Sequence, residues 1–155
     1  MAFNIVIGAD VQPDVGFDVV IGTTVGGGSS LLDFTIPDVP LGTVMMILVV
    51  RDAEVEFNGA GWSKVVDGAG ASGVFLDAWS RTADGTTGSI SGEIVSAACP
   101  TEQELQGGLV IVDGADESDL VYDIQHASFT ADATPDAPSA TFRAAADTIL
   151  CVWSA

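Results

Sequence analysis

From Val44 to Val50 the chain carries seven apolar residues in succession, and the run stops at Arg51-Asp52. Seven is far short of the about 20 residues that a helical membrane span needs. The run does not alternate as a half-wet strand would. Thr43–Arg51 is therefore expected to be a central strand covered on both faces.

Shorter strand signals surround it. Leu32–Ile36 alternates and ends at Pro37. Gly61–Val66 is followed by a Gly-rich stretch, Asp67–Gly73, that reads as a turn. Val74–Arg81 is the next strand, Asp84-Gly85 a turn, and Gly88–Ala98 alternates again. Leu109–Val112, Leu120–Phe129, Ala140–Arg143 and Thr148–Trp153 complete the set. Thr101–Gln106 is the only helix candidate. Thr101 and Glu104 fit a capping box and Gly107 a stop, which gives one or two turns at most. The sequence thus predicts an all-β chain, an antiparallel β-sandwich or jelly roll of about eight to ten strands, with negligible helix.

Composition agrees. Of the 22 acidic residues 16 are Asp and 6 are Glu, and Asp favours turns over helix interiors. At 155 residues the chain fits one domain with a sizeable core. The only cations are Arg51, Lys64, Arg81 and Arg143, and the net charge is −18. That charge argues against nucleic acid and against an anionic membrane surface as partners. The opening residues carry no positive segment of the signal-peptide kind, so a reducing cytosol and free thiols at Cys99 and Cys151 are expected.

Residues 1–30 differ from the rest. Asn4–Gly8 and Phe17–Gly22 are two similar apolar runs, followed by Gly26-Gly27-Gly28-Ser29-Ser30. They are either two ordinary strands or a docking arm on a Gly/Ser linker, ahead of a sandwich domain at 31–155. In the arm reading Phe3, Ile5, Ile7, Phe17, Val19 and Ile21 meet a neighbour. Apolar strands left exposed on a monomer invite association.

Little catalytic chemistry is visible. His126 is the single histidine, and the two cysteines lack zinc-site spacing. No cofactor is expected. Asp113, Asp116, Glu117 and Asp119 form the densest acidic segment, a weak candidate for Ca²⁺ against the simpler reading of a solvated loop. Trp62, Trp79 and Trp153 could stack on sugars, but packing is the commoner role of such residues.

Several blocks together resemble a β-sandwich domain of tailed-phage virion proteins. They are Pro40-Leu41-Gly42-Thr43-Val44-Met45 through Val50, Gly61-Trp62-Ser63, Val74–Arg81 with Thr82-Ala83, Leu109–Asp116, and the closing Thr148–Trp153. The resemblance runs in order from about residue 32 to residue 153 and omits the first thirty. Val112 and Glu117-Ser118 depart from the family's pattern. It implies a non-enzymatic virion structural role. The charge disfavours a place inside a DNA-filled shell. A capsid decoration protein on the outer head surface is the leading expectation, bound to the major capsid protein and to itself, most simply as a homotrimer. A tail component, or a carbohydrate- or receptor-binding module, is the alternative. An apolar arm as main anchor predicts that binding tightens as salt screens the repulsion between acidic subunits.

Overall fold

A computed structural model of the chain describes residues 3–8, 17–20, 31–71, 74–83, 91–99, 105–112 and 149–154. These residues form ten strands and no helix: β1 (Phe3–Gly8), β2 (Phe17–Val20), β3 (Leu31–Thr35), β4 (Val44–Arg51), β5 (Glu56–Phe57), β6 (Ser63–Ala71), β7 (Val74–Thr82), β8 (Ile94–Ala98), β9 (Gln106–Val112) and β10 (Ile149–Ser154). The order β2-β9-β4-β7-β6 makes one five-stranded sheet, and β3-β8-β5 makes a three-stranded one. β1 pairs with β10. All the pairings are antiparallel. The protein is an all-β sandwich.

The apolar run is the centre of the larger sheet. β4 lies between β7 and β9, with Ile47 opposite Trp79 on one side and Leu109 on the other. Met45, Ile47 and Val49 enter the core with Trp79 and Leu109, and meet Leu32, Phe34, Val95 and Ala97 of the smaller sheet. Val44, Met46, Leu48 and Val50, on the opposite face, are buried as well. Burial on both faces is why the sequence shows no alternation there.

The two sheets approach closely at β9. A Cβ built on Gly107 would lie 2.6 Å from the Leu48 carbonyl oxygen and 3.1 Å from the Phe34 ring. Only glycine fits that position.

Three sequence readings change. Asp67–Ala71, read as part of a turn, belongs to β6, whose register against β7 shifts between Lys64 and Val66 and again between Val66 and Ala69. Bulges use the same Gly and Asp residues as turns, and Gly68 takes φ +62° here. Gln106, expected to end a helix, begins β9 and pairs with Val50; residues 101–104 lie outside the described residues. Of the alternating strand expected over 88–98, residues 94–98 form β8 after a turn at Ser91-Gly92, and 88–90 lie outside the described residues. The strands expected at 120–129 and 140–143 lie outside the described residues.

Candidate functional site

Two features of the described residues combine several charged or exposed apolar groups; Leu41, 75% exposed in the turn before β4, stands apart from both. The first is an ion-pair network on the core-facing side of the large sheet. Along β7 the residues facing the core are Phe75, Asp77, Trp79 and Arg81, because they pair with the inward set of β4. Asp77 sits opposite Val49, with its side chain 1% exposed. A buried carboxylate needs compensating donors, and four atoms supply them. Arg51 Nε donates at 2.5 Å and Arg51 Nη2 at 3.3 Å. The Gly68 amide donates at 2.7 Å, and Lys64 Nζ lies 3.4 Å away. The left-handed turn at Gly68 in the β6 bulge thus delivers a backbone N–H to Asp77.

The electrostatics follow from this geometry. The hydrogen bond to Asp77 raises the Arg51 pKa above its already high value, against the opposing effect of partial burial. On the exposed rim, Lys64 Nζ donates to Asp67 at 2.5 Å and holds the Asp67 carboxyl below its ordinary value. Arg51 also lies over the Phe75 ring and Lys64 over the Trp79 ring, at 5.2 and 5.4 Å. Asp77 organises the meeting of β4, β6 and β7. At the other end of the same face, Arg81 Nη1 donates to Glu93 at 3.1 Å and to the Ala60 carbonyl at 2.9 Å, and so ties β7 to the segments that lead into β8 and β6.

The second feature is the outer face of the three-stranded sheet. β3 alternates, with Leu32 and Phe34 inward and Leu31, Asp33 and Thr35 outward. The register sets Leu31 beside Ala98, Asp33 beside Ser96 and Thr35 beside Ile94. Ile94 is 62% exposed and Leu31 43%. Ser96 Oγ donates to Asp33 at 2.6 Å, and Asn58 Oδ1 accepts the Ser96 amide at 2.9 Å.

Apart from Trp79, under Lys64, neither feature includes the residues singled out from sequence. Asp113, Asp116, Glu117 and Asp119, the Ca²⁺ candidates, lie outside the described residues, as does Ile21. Phe3, Ile5 and Ile7 are on β1, and Phe17 and Val19 on β2. The backbones of both strands pair within the chain, with β10 and β9 respectively. Trp79 is buried and stacked on Phe57 at 4.3 Å, while Trp62 meets the same ring edge-on at 6.1 Å. Trp79 therefore presents no ring face to a sugar. Cys99 is buried in the core.

Leu31 could have been found from sequence, being out of phase with the inward set Leu32, Phe34 and Ile36. The Arg51–Asp77 pair could not, because it depends on the register of two distant strands. The chain matches no family model, no curated protein and no solved structure.

Proposed function

We propose that this chain is a non-enzymatic structural protein of a tailed-phage virion, seated on the outer surface of the capsid as a decoration protein. One observation supports the reading above others. Four of the sequence blocks that resemble the virion domain fall on β4, the start of β6, β7 and β9, and these strands are contiguous in one sheet, in the order β9-β4-β7-β6. The fifth block, Thr148–Trp153, falls on β10, which pairs with β1 outside that sheet. A charge of −18 suits the outside of a DNA-filled shell, where repulsion from packaged phosphate is weakest. Closed trimers on the shell belong to the same proposal.

The test is copy number and position on purified particles, by gel densitometry and immunogold labelling. Hundreds of copies spread over heads is the expected result. Tens of copies confined to tails would replace the decoration role by a tail role, and absence from particles would end the virion reading.

A further inference from the structure

The proposed function leaves open which surface does the docking, and this inference rests on that reading and deepens it. On the outer face of β3 and β8, Leu31 and Ile94 lie at opposite ends of the ladder, four residues apart along β3 in register. The strand rise puts them about 14 Å apart. Between them stands Asp33, oriented by the Ser96 hydroxyl. Glu56 of β5, beside Ala98, adds a second carboxylate near the Leu31 end. Large aliphatic side chains exposed on a sheet face are the kind of surface that a protein partner covers.

The charge balance selects the partner. Covering Asp33 without a cation would strand a carboxylate away from water. This chain has few cations to supply. Arg51, Lys64 and Arg81 are each committed to a carboxylate of their own fold, and the only other basic residue is Arg143. A second copy placed face to face would set Asp33 and Glu56 against their own counterparts and bring together two chains of charge −18. Nucleic acid and anionic headgroups are repelled for the same reason.

We propose that the outer face of β3-β8-β5 docks a cationic protein surface, with Leu31 and Ile94 as the apolar anchors and Asp33 as the carboxylate that selects a lysine or arginine between them. The partner's matching groups have the spacing of an extended strand: apolar, basic and apolar at alternate positions.

The probe is a blocked peptide with arginine between two valines at alternate positions and serines between them, titrated into the ¹⁵N-labelled full chain. Amide shifts confined to residues 31–35 and 94–98 are expected. Leu31→Ser and Ile94→Ser each weaken binding, and Asp33→Asn, which keeps an acceptor for Ser96, weakens it about tenfold. Asp33→Lys abolishes it and admits the same peptide with glutamate in place of arginine. These positions are exposed, so the variants keep the wild-type spectrum elsewhere. Shifts spread over the whole acidic surface, or indifference to Asp33→Asn, overturn the proposal. So does a concentration-dependent dimer that Ile94→Asp dissolves, because a second copy is then the occupant.

Particle binding separates this inference from the reading beneath it. Full decoration by Ile94→Asp refutes the docking face and leaves the decoration role standing. Failure of the wild type to bind particles, with the peptide result intact, does the reverse. Salt gives an independent sign: docking through Asp33 weakens as salt rises, and tightening with salt, as an apolar arm requires, counts against this face.

Discussion

Arg51 and Asp77 are diagonal neighbours across the β4–β7 ladder, Asp77 pairing with Val49 and Arg51 with Phe75, and their side chains meet at 2.5 Å on the core side of the sheet. A diagonal pair of this kind lies within reach of a long side chain. The Arg51 side chain is 12% exposed and that of Asp77 1%, so solvent contributes little to keeping either charge.

Removing one partner should therefore be costly. Asp77→Ala leaves the Arg51 guanidinium and the Gly68 amide without their acceptor, and should destabilise the fold by about 3 kcal/mol. The double variant Arg51→Met/Asp77→Leu should recover most of that loss, because apolar replacement of a whole buried pair is often close to neutral. Urea unfolding of the two variants measures it. A double variant no more stable than Asp77→Ala would show that the network specifies the β6 bulge rather than balancing two charges.

Gly107→Ala should destabilise by about 2 kcal/mol through overpacking, since the new methyl meets the Leu48 carbonyl and the Phe34 ring. Backbone oxygen in a central strand has little room to retreat. The expected readout is a lower urea midpoint with an unchanged slope.

The Lys64–Asp67 contact predicts a pH dependence with a definite sign. Asp67 is held below its ordinary value of 3.8 by the Lys64 hydrogen bond first and its charge second. A carboxyl whose folded pKa is depressed contributes stability above its unfolded value, and loses it as pH falls through the folded one. Asp67→Asn should thus cost a little stability at neutral pH and none in strong acid, so that the acid limb of the stability curve below about pH 4 is flatter. The effect should be small, because Asp67 is exposed. A loss at pH 7 comparable to that of Asp77→Ala would contradict this.

Salt should stabilise the isolated chain. With 22 acidic and 4 basic residues, the folded state concentrates like charge. Raising monovalent salt from about 10 mM to 150 mM shortens the screening length from about 30 Å to 8 Å. The unfolding midpoint should rise by several degrees, about what a kcal/mol gives in a domain of this size. A falling midpoint would mean that the Arg51 and Arg81 ion pairs outweigh the general repulsion.

Sequence and structure agree where local pattern decides and part where distant contacts decide. The run Val44–Val50 announced a buried strand because no polar residue interrupts it, and β4 is that strand. Val74–Arg81 and Leu109–Val112 were legible for the same reason. Asp67–Gly70 was not, because the same composition serves a turn and a bulge. Its hydrogen-bonding partner, Asp77, is what draws Gly68 into the strand's edge. Gln106-Gly107 looked like a helix end, yet Val50 and Val49 opposite them hold both in the ladder. Of the proposed docking face, phase alone marked Leu31, while Ile94 faces out because Val95 and Ala97 occupy the core positions beside it.

The ladder between β1 and β10 has a consequence for the order of events during synthesis. Phe3 pairs with Ser154 and Gly8 with Ile149, so β1 waits for a strand that is translated long after it. β2 likewise waits for β9. Such pairings bear the full entropy of closing a long loop before any contact rewards them. The β4–β7 ladder can form early, while β2–β9 closes only after translation has passed residue 112 and β1–β10 only after residue 154. A chain stalled before that point would hold β1 as an unsatisfied strand, open to pairing with the wrong neighbour.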